Sequence, residues 1–132
     1  MANLTAVDVK IRELAHEKPQ YGPGAYHFVF EALDFTMLRM GKHRRRGQER
    51  HLSVDELLDG IREYALSQYG PLARVVLESL SIFRTEDLGE LVFNLVEKGL
   101  LNKQETDSLE QFADGFSFRE AFDRAASHEP SF

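Results

Sequence analysis

The pattern of apolar and polar positions along the chain is helical over most of its length. Apolar side chains recur every three or four residues in several long segments, a spacing that places them on one side of an α-helix. Strand-like patterning is weak and is limited to residues 100–103 and 108–112. The pattern predicts a mainly α protein, a single compact domain of five or six helices.

Capping residues, glycines and prolines mark where these helices begin and end. Thr5 is a predicted cap for an N-terminal helix within residues 1–20, and "PQYGPG" then breaks it. The next segment, "AYHFVFEALDFTMLRM", is apolar nearly all round and ends at Gly41. It is therefore the predicted central, most buried helix. "SVDE", starting at Ser53, is a capping box that predicts the start of a third helix.

Two further helices and a short last one are predicted after "YGP". The fourth helix is expected to begin at Pro71 and to bury a stripe made of Leu72, Val75, Val76 and Leu80. The fifth, with Thr85 as its expected cap and Gly99 after its end, is expected to bury Leu88, Leu91, Val92, Leu95 and Val96. Ser117 and Glu120 form another capping box for the short last helix. Residues 127–132 are expected to form a frayed tail.

The stretch "PLARVVLESLSIFRTEDLGELVFNLVEKGLLNK", residues 71–103, resembles a winged-helix domain. A short turn would hold two amphipathic helices at a steep angle, and Gly99 would let the chain reverse into a small β-hairpin. The hairpin would pair residues 100–103 with 108–112. An irregular helical bundle fits the same pattern, so both architectures stay open.

Composition is that of a globular chain. With 132 residues, 42% of them hydrophobic, one domain spanning residues 1–132 is expected. The chain contains no cysteine, which excludes disulfides and thiolate sites. It shows no signal-peptide pattern and no membrane-spanning run, so we expect a cytoplasmic protein without membrane association.

Charge is distributed unevenly in a chain whose net charge is −6. A basic loop is predicted at residues 42–52, and its cations are a candidate contact arm: Lys42, Arg44, Arg45, Arg46 and Arg50. Such an arm would grip RNA, DNA or an acidic protein surface. The other interpretation is a solvated loop that pairs with the acidic half, since residues 86–129 contain eleven acids and four Lys or Arg.

The predicted fifth helix has an acidic polar side formed by Glu86, Asp87, Glu90 and Glu97. Carboxylates on a helix aimed at a polyanion would repel it, so direct reading of DNA by this helix is disfavoured. The same residues are a candidate acidic protein-contact face. A helix-turn-helix that contacts protein is the preferred interpretation.

Catalytic, cofactor and metal chemistry have no motif in this sequence. There is no GxSxG, P-loop, GxGxxG or HExxH pattern. His43 and His51 flank the basic run, but its arginines would repel a metal cation. We therefore expect no cofactor and no enzymatic activity.

Four segments, "YHFVFEALDFT", "LLDGIREYALSQYGPLARVVLESL", "TEDLGELVFNLVEKGLL" and "DGFSFREAF", resemble a conserved hypothetical family of planctomycete and verrucomicrobial bacteria. The resemblance spans residues 21–122 and implies a bacterial cytoplasmic protein. It brings no activity, cofactor or site residue with it.

Three functions remain in order of preference. The first is a non-enzymatic protein-interaction module or adaptor, whose acidic C-terminal half meets an unknown basic protein partner. The alternative is a nucleic-acid- or ribosome-associated protein that uses residues 42–51. An enzyme without a recognisable motif is a distant third.

Overall fold

The computed structural model describes residues 5–42, 52–101, 109–113 and 115–124. These residues are mainly helical, as predicted, and no β-strand occurs among them. The five α-helices are α1 (Ala6–Glu17), α2 (Pro23–Arg39), α3 (Val54–Tyr69), α4 (Ala73–Ser79) and α5 (Thr85–Glu97). Two 3₁₀ turns (Gly70–Leu72 and Leu109–Phe112) and a π-helical turn (Arg119–Arg124) accompany them.

The predicted cap at Thr5 and the predicted capping box at Ser53 are confirmed. The Thr5 hydroxyl accepts the Asp8 N–H at 3.1 Å, and the Asp8 carboxylate accepts the Thr5 N–H at 3.1 Å. Ser53 and Glu56 make the same exchange at 3.1 and 2.9 Å at the start of α3. Because the first N–H groups of a helix have no partner within it, these side chains fix where α1 and α3 begin.

Helix α2 is central, as its all-round apolar pattern predicted, and it packs against α1, α3 and α5. Its approach to α3 is very close. A Cβ atom added to Gly60 of α3 would lie only 2.0 Å from the Oγ1 atom of Thr36 in α2. Thr36 is fully buried, and its hydroxyl donates to the Ala32 carbonyl at 2.7 Å. The missing side chain of Gly60 therefore sets the spacing of the α2–α3 pair.

One hydrophobic core joins all five helices and the C-terminal turns. The α5 stripe that the sequence predicted to be buried supplies its centre, with Leu88, Leu91 and Leu95 all at 0% exposure. Phe112 and Phe122 close the core from the C-terminal side. Burial on this scale makes α5 a main contributor to the core.

The prediction that Thr85 caps α5 is wrong. Arg84 is the N-cap residue, and the Asp87 carboxylate accepts the N–H groups of Phe83 and Arg84 at 2.9 and 3.2 Å. A carboxylate at the third helical position can thus satisfy the N-terminal donors from inside the helix. Thr85 is the first helical residue, and its buried side chain forms hydrogen bonds with the C-terminal segment.

Thr85 attaches the C-terminal segment to α5. Its hydroxyl donates to the Phe112 carbonyl at 2.5 Å and accepts the Gly115 N–H at 3.0 Å. The Phe112 ring lies over Gly89, where an added Cβ would come within 2.7 Å of the ring Cγ. The segment therefore depends on a hydroxyl and on a missing side chain, both in α5.

Replacing Thr85 by Val keeps the shape of the side chain and removes both hydrogen bonds. We expect a loss of about 1–2 kcal/mol of unfolding free energy, because the Phe112 carbonyl would stay buried without its donor. Urea denaturation followed by circular dichroism measures the loss. Thr85→Ser, which keeps the hydroxyl, should retain most of the stability. Equal losses in the two variants would contradict a role for the hydrogen bonds.

The predicted hairpin after Gly99 is not formed within the described residues. Gly99 ends α5 with φ +82°, as expected of a glycine in this position. Residues 109–112, expected to belong to the second strand, instead form the 3₁₀ turn Leu109–Phe112. Residues 102–108 and the predicted tail at 127–132 lie outside the described part of the chain.

The buried side of α4 differs from the predicted one. Ala73 and Leu77 are buried at 0% exposure, whereas Leu72 and Val75 are 60% and 62% exposed. The prediction assumed an α-helix from Pro71, but the chain first makes a 3₁₀ turn over Gly70–Leu72. That turn has 3.0 residues per turn and not 3.6, so the phase of the following helix shifts. Two apolar residues are left on the outside.

Candidate protein-docking surface on α5

The outer face of α5 consists of Glu86, Glu90, Phe93 and Glu97. Steps of four, three and four residues put these side chains on one side of the helix. Phe93 is 43% exposed and Glu97 is exposed, while Glu86 and Glu90 are half-buried. The opposite side of α5 is packed in the core, so this acidic and aromatic strip is the side that meets solvent.

The predicted acidic face of four carboxylates is divided by the fold. Asp87 lies nearer to α2, where its carboxylate accepts the Tyr21 hydroxyl at 2.7 Å. Asn94, two turns further along the same side, donates to the Tyr26 hydroxyl at 3.2 Å. With three hydrogen bonds inside the fold, Asp87 holds the N-terminus of α5 and the α1–α2 connection, and it is less available to a partner than the other three carboxylates.

The charges of the remaining three carboxylates are not neutralised within the described part of the chain. Glu90 accepts hydrogen bonds from Gln20 and, at 3.3 Å, from the Tyr21 hydroxyl, both uncharged donors. Among the described residues, no Lys, Arg or His forms an ion pair with Glu86, Glu90 or Glu97. The α5 outer face therefore presents three negative charges beside an exposed ring.

Phe93 is the functional candidate that the sequence pattern missed. It is not part of the predicted apolar stripe of α5, because its position lies off the line that runs through Leu88, Leu91 and Leu95. That offset was the available signal. Phe83, just before α5, is another exposed ring at 56%.

Only one end of the candidate contact arm lies in the described residues. The Lys42 ammonium pairs with Glu56 at 3.1 Å, and Arg39 pairs with Asp59 at 3.0 Å. At the other end of the loop, Leu52 is buried. The four arginines of the arm fall outside the described residues: Arg44, Arg45, Arg46 and Arg50.

The four tyrosines of the chain all hold their protons more tightly than free tyrosine. Burial, followed by the hydrogen bond to Glu31 at 2.8 Å, raises the pKa of Tyr64 to about 12. Burial, then the hydrogen bond to Asp87, raises the pKa of Tyr21, and burial also raises the pKa of Tyr26 and Tyr69. In each case the low-dielectric surroundings disfavour the phenolate.

These shifts predict an alkaline limit to stability. A group whose pKa is raised by folding stabilises the fold below its unfolded pKa, here about 10 for tyrosine. That contribution is lost as pH rises through the folded value. We expect tyrosine absorbance in the folded protein to titrate above pH 10, and the melting temperature to fall between about pH 10 and 12. Tyr64→Phe should remove the step near pH 12; four tyrosines titrating together near 10 would contradict the burial.

The described residues contain neither a membrane-spanning helix nor a cluster of metal ligands. None of their helices is long and apolar enough to cross a membrane. Nor do these residues bring together three or more His, Cys, Asp or Glu side chains that could hold a metal ion.

No protein-family model, curated protein or solved structure matches this chain. The resemblance to planctomycete and verrucomicrobial proteins stays a prediction made from the sequence.

Proposed function

We propose that this protein is a non-enzymatic interaction module of the bacterial cytoplasm, which docks a basic protein partner on the α5 outer face. The observation that carries the proposal is the set of three carboxylates without ion pairs beside an exposed Phe93 on one side of a helix. Aromatic residues are enriched at protein interfaces, where they supply much of the binding energy. The carboxylates add selectivity for a cationic partner.

The connection between α4 and α5 supports a helix-turn-helix used for protein contact. Five residues, 80–84, join the two helices, a connection about as short as the turn of that motif. The second helix of that arrangement would face a phosphate backbone in a DNA-binding protein. Here it presents Glu86, Glu90 and Glu97, whose charges oppose such an approach.

The alternative is RNA, DNA or ribosome association through residues 42–51. The described cations at this end of the molecule already have carboxylate partners, since Lys42 pairs with Glu56 and Arg39 with Asp59. This neutralisation favours the α5 outer face as the contact surface. An enzymatic function is supported by no feature of the described residues.

A charge-matched comparison tests the proposal. The variant E86Q/E90Q/E97Q removes the three charges of the α5 outer face. The variant D34N/D55N/E120Q removes three exposed carboxylates elsewhere and is the control. Lysate of the native organism, with and without nuclease treatment, is passed over each immobilised protein and over R44Q/R45Q/R46Q.

We expect bound proteins to be lost with E86Q/E90Q/E97Q alone, and to be retained by the control and by the arginine variant. Partners that disappear on nuclease treatment, or with R44Q/R45Q/R46Q and not with the glutamate variant, would support nucleic-acid association and reject the α5 surface. Circular dichroism of each variant confirms that the fold is kept.

A further inference from the structure

Exposed apolar side chains are concentrated just before the α5 outer face. Leu72, Val75 and Phe83 are 60%, 62% and 56% exposed, more than any other large hydrophobic residue of the described chain. All three fall within twelve residues of sequence. Leu72 lies in the turn before α4, Val75 in α4 and Phe83 in the connection to α5; we call these three residues the α4 apolar ridge. Isolated exposed apolar residues are ordinary, but three in one short stretch of chain indicate a candidate interaction surface.

Chain length keeps the ridge close to the carboxylates. Phe83 is three residues from Glu86, so their Cα atoms are at most about 11 Å apart. From Val75 to Phe83 the chain makes one helical turn and then four residues, which limits the separation to about 20 Å. Together these limits place Val75 at most about 31 Å from Glu86, and a partner helix of eighteen residues, about 27 Å long, covers most of that distance.

The charge of this region selects among possible occupants. Residues 72–97 carry five acidic side chains and two arginines. Arg74 is already paired with Glu78 at 3.3 Å and with Asp123 at 2.6 Å. A second copy of the chain would bring its own acidic surface against this one, and an anionic membrane would be repelled in the same way. Both are disfavoured relative to a cationic partner.

The chain's own basic loop does not fit this surface either. Residues 43–51, "HRRRGQERH", contain no aliphatic or aromatic hydrocarbon side chain that could cover Leu72, Val75 or Phe83. The occupant must supply both an apolar stripe and cations.

We propose that the α4 apolar ridge and the α5 outer face together bind a basic amphipathic helix of a partner protein. The apolar stripe of that helix covers Leu72, Val75 and Phe83, and its Lys or Arg residues lie against Glu86 and Glu90. Docking of an amphipathic helix on an apolar surface is a recurrent mode of recognition. This inference rests on the proposed function and gives its partner a chemical class.

Three synthetic peptides of eighteen residues test the proposal with the full-length protein. The first contains Leu and Lys, with Leu at helical spacing. The second has the same composition but a scrambled order that forms no apolar face, and the third replaces Lys by Glu. Binding is measured by fluorescence anisotropy of labelled peptide at low and high salt, with wild type, E86Q/E90Q/E97Q and L72S/V75S.

We expect the ordered basic peptide alone to bind. L72S/V75S should weaken it by about tenfold or more at both salt concentrations, because apolar contact is insensitive to screening. E86Q/E90Q/E97Q should weaken it by about tenfold at low salt and much less at high salt. Since Leu72 and Val75 are exposed, the melting temperature of L72S/V75S should be unchanged.

The outcomes separate this inference from the proposed function. If the scrambled basic peptide binds as well as the ordered one and both depend on the glutamates, the surface is acidic but does not select a helix; the inference is then wrong and the proposed function stands. If no peptide responds to the glutamate substitutions, both fail. If light scattering shows a wild-type dimer that L72S/V75S converts to a monomer, the occupant is a second copy and the inference is overturned.

Discussion

Leu91→Ala is expected to lower the free energy of unfolding by about 2–5 kcal/mol, the range for large buried side chains cut back to alanine. Leu91 has no exposed surface and lies on the side of α5 that faces the core. Its loss removes apolar burial and leaves a cavity, which the surrounding helices fill only in part. Chemical denaturation followed by circular dichroism measures the change.

The matched control is Leu38→Ala, the same substitution at a residue of α2 that is 54% exposed. It is expected to change stability by less than about 1 kcal/mol, because little apolar surface is removed from the interior. Similar losses at Leu91 and Leu38 would mean that α5 does not occupy the centre of the core.

The features predicted correctly from the sequence are those with a local physical cause. Thr5 and Ser53 cap helices because each can bond to a backbone N–H only three residues away. Gly99 ends α5 because a positive φ costs glycine little. The residues of α2 are apolar on nearly every side of the helix, and this predicted a central helix, since each apolar side needs a packing partner.

The wrong predictions depended on contacts between distant segments. Thr85 has the chemistry of a cap, but the Phe112 carbonyl, 27 residues away, takes its hydroxyl. Nothing near Thr85 in the sequence indicates that competition. The buried side of α4 depends on the phase set by the turn over Gly70–Leu72, which apolar periodicity does not determine.

The carboxylates of the candidate site could be predicted from the sequence, whereas its apolar residues depend on contacts between distant segments. Periodicity placed the carboxylates of α5 on a polar side, and three of them do share its outer face. The fourth, Asp87, instead accepts a hydrogen bond from Tyr21, which lies some 66 residues earlier in the chain. The exposed Phe93 and the α4 apolar ridge come from packing that leaves apolar residues outside, and composition does not distinguish these from core residues.

Gly60→Ala is expected to cost about 3 kcal/mol, the upper part of the range for overpacked interiors. The added methyl group would lie 2.0 Å from the Oγ1, 2.5 Å from the Cγ2 and 2.7 Å from the Cβ atom of Thr36. The Cβ of Thr36 is fixed to the backbone of α2, so the helices must separate. The intrinsic helix preference of alanine over glycine, about 1 kcal/mol, works in the opposite direction and does not compensate.

Two further variants test whether the close contact between residue 60 and Thr36 causes the loss of stability. Gly24→Ala adds the same methyl group in α2, where the nearest atom is the flexible Leu80 Cδ2 at 3.1 Å, and it should leave the melting temperature almost unchanged. In T36A/G60A the Oγ1 and Cγ2 atoms are gone. The double variant should therefore be more stable than the sum of the single losses predicts, by at least about 1 kcal/mol, as expected of residues in contact. Strictly additive losses would show that α2 and α3 do not meet at Gly60.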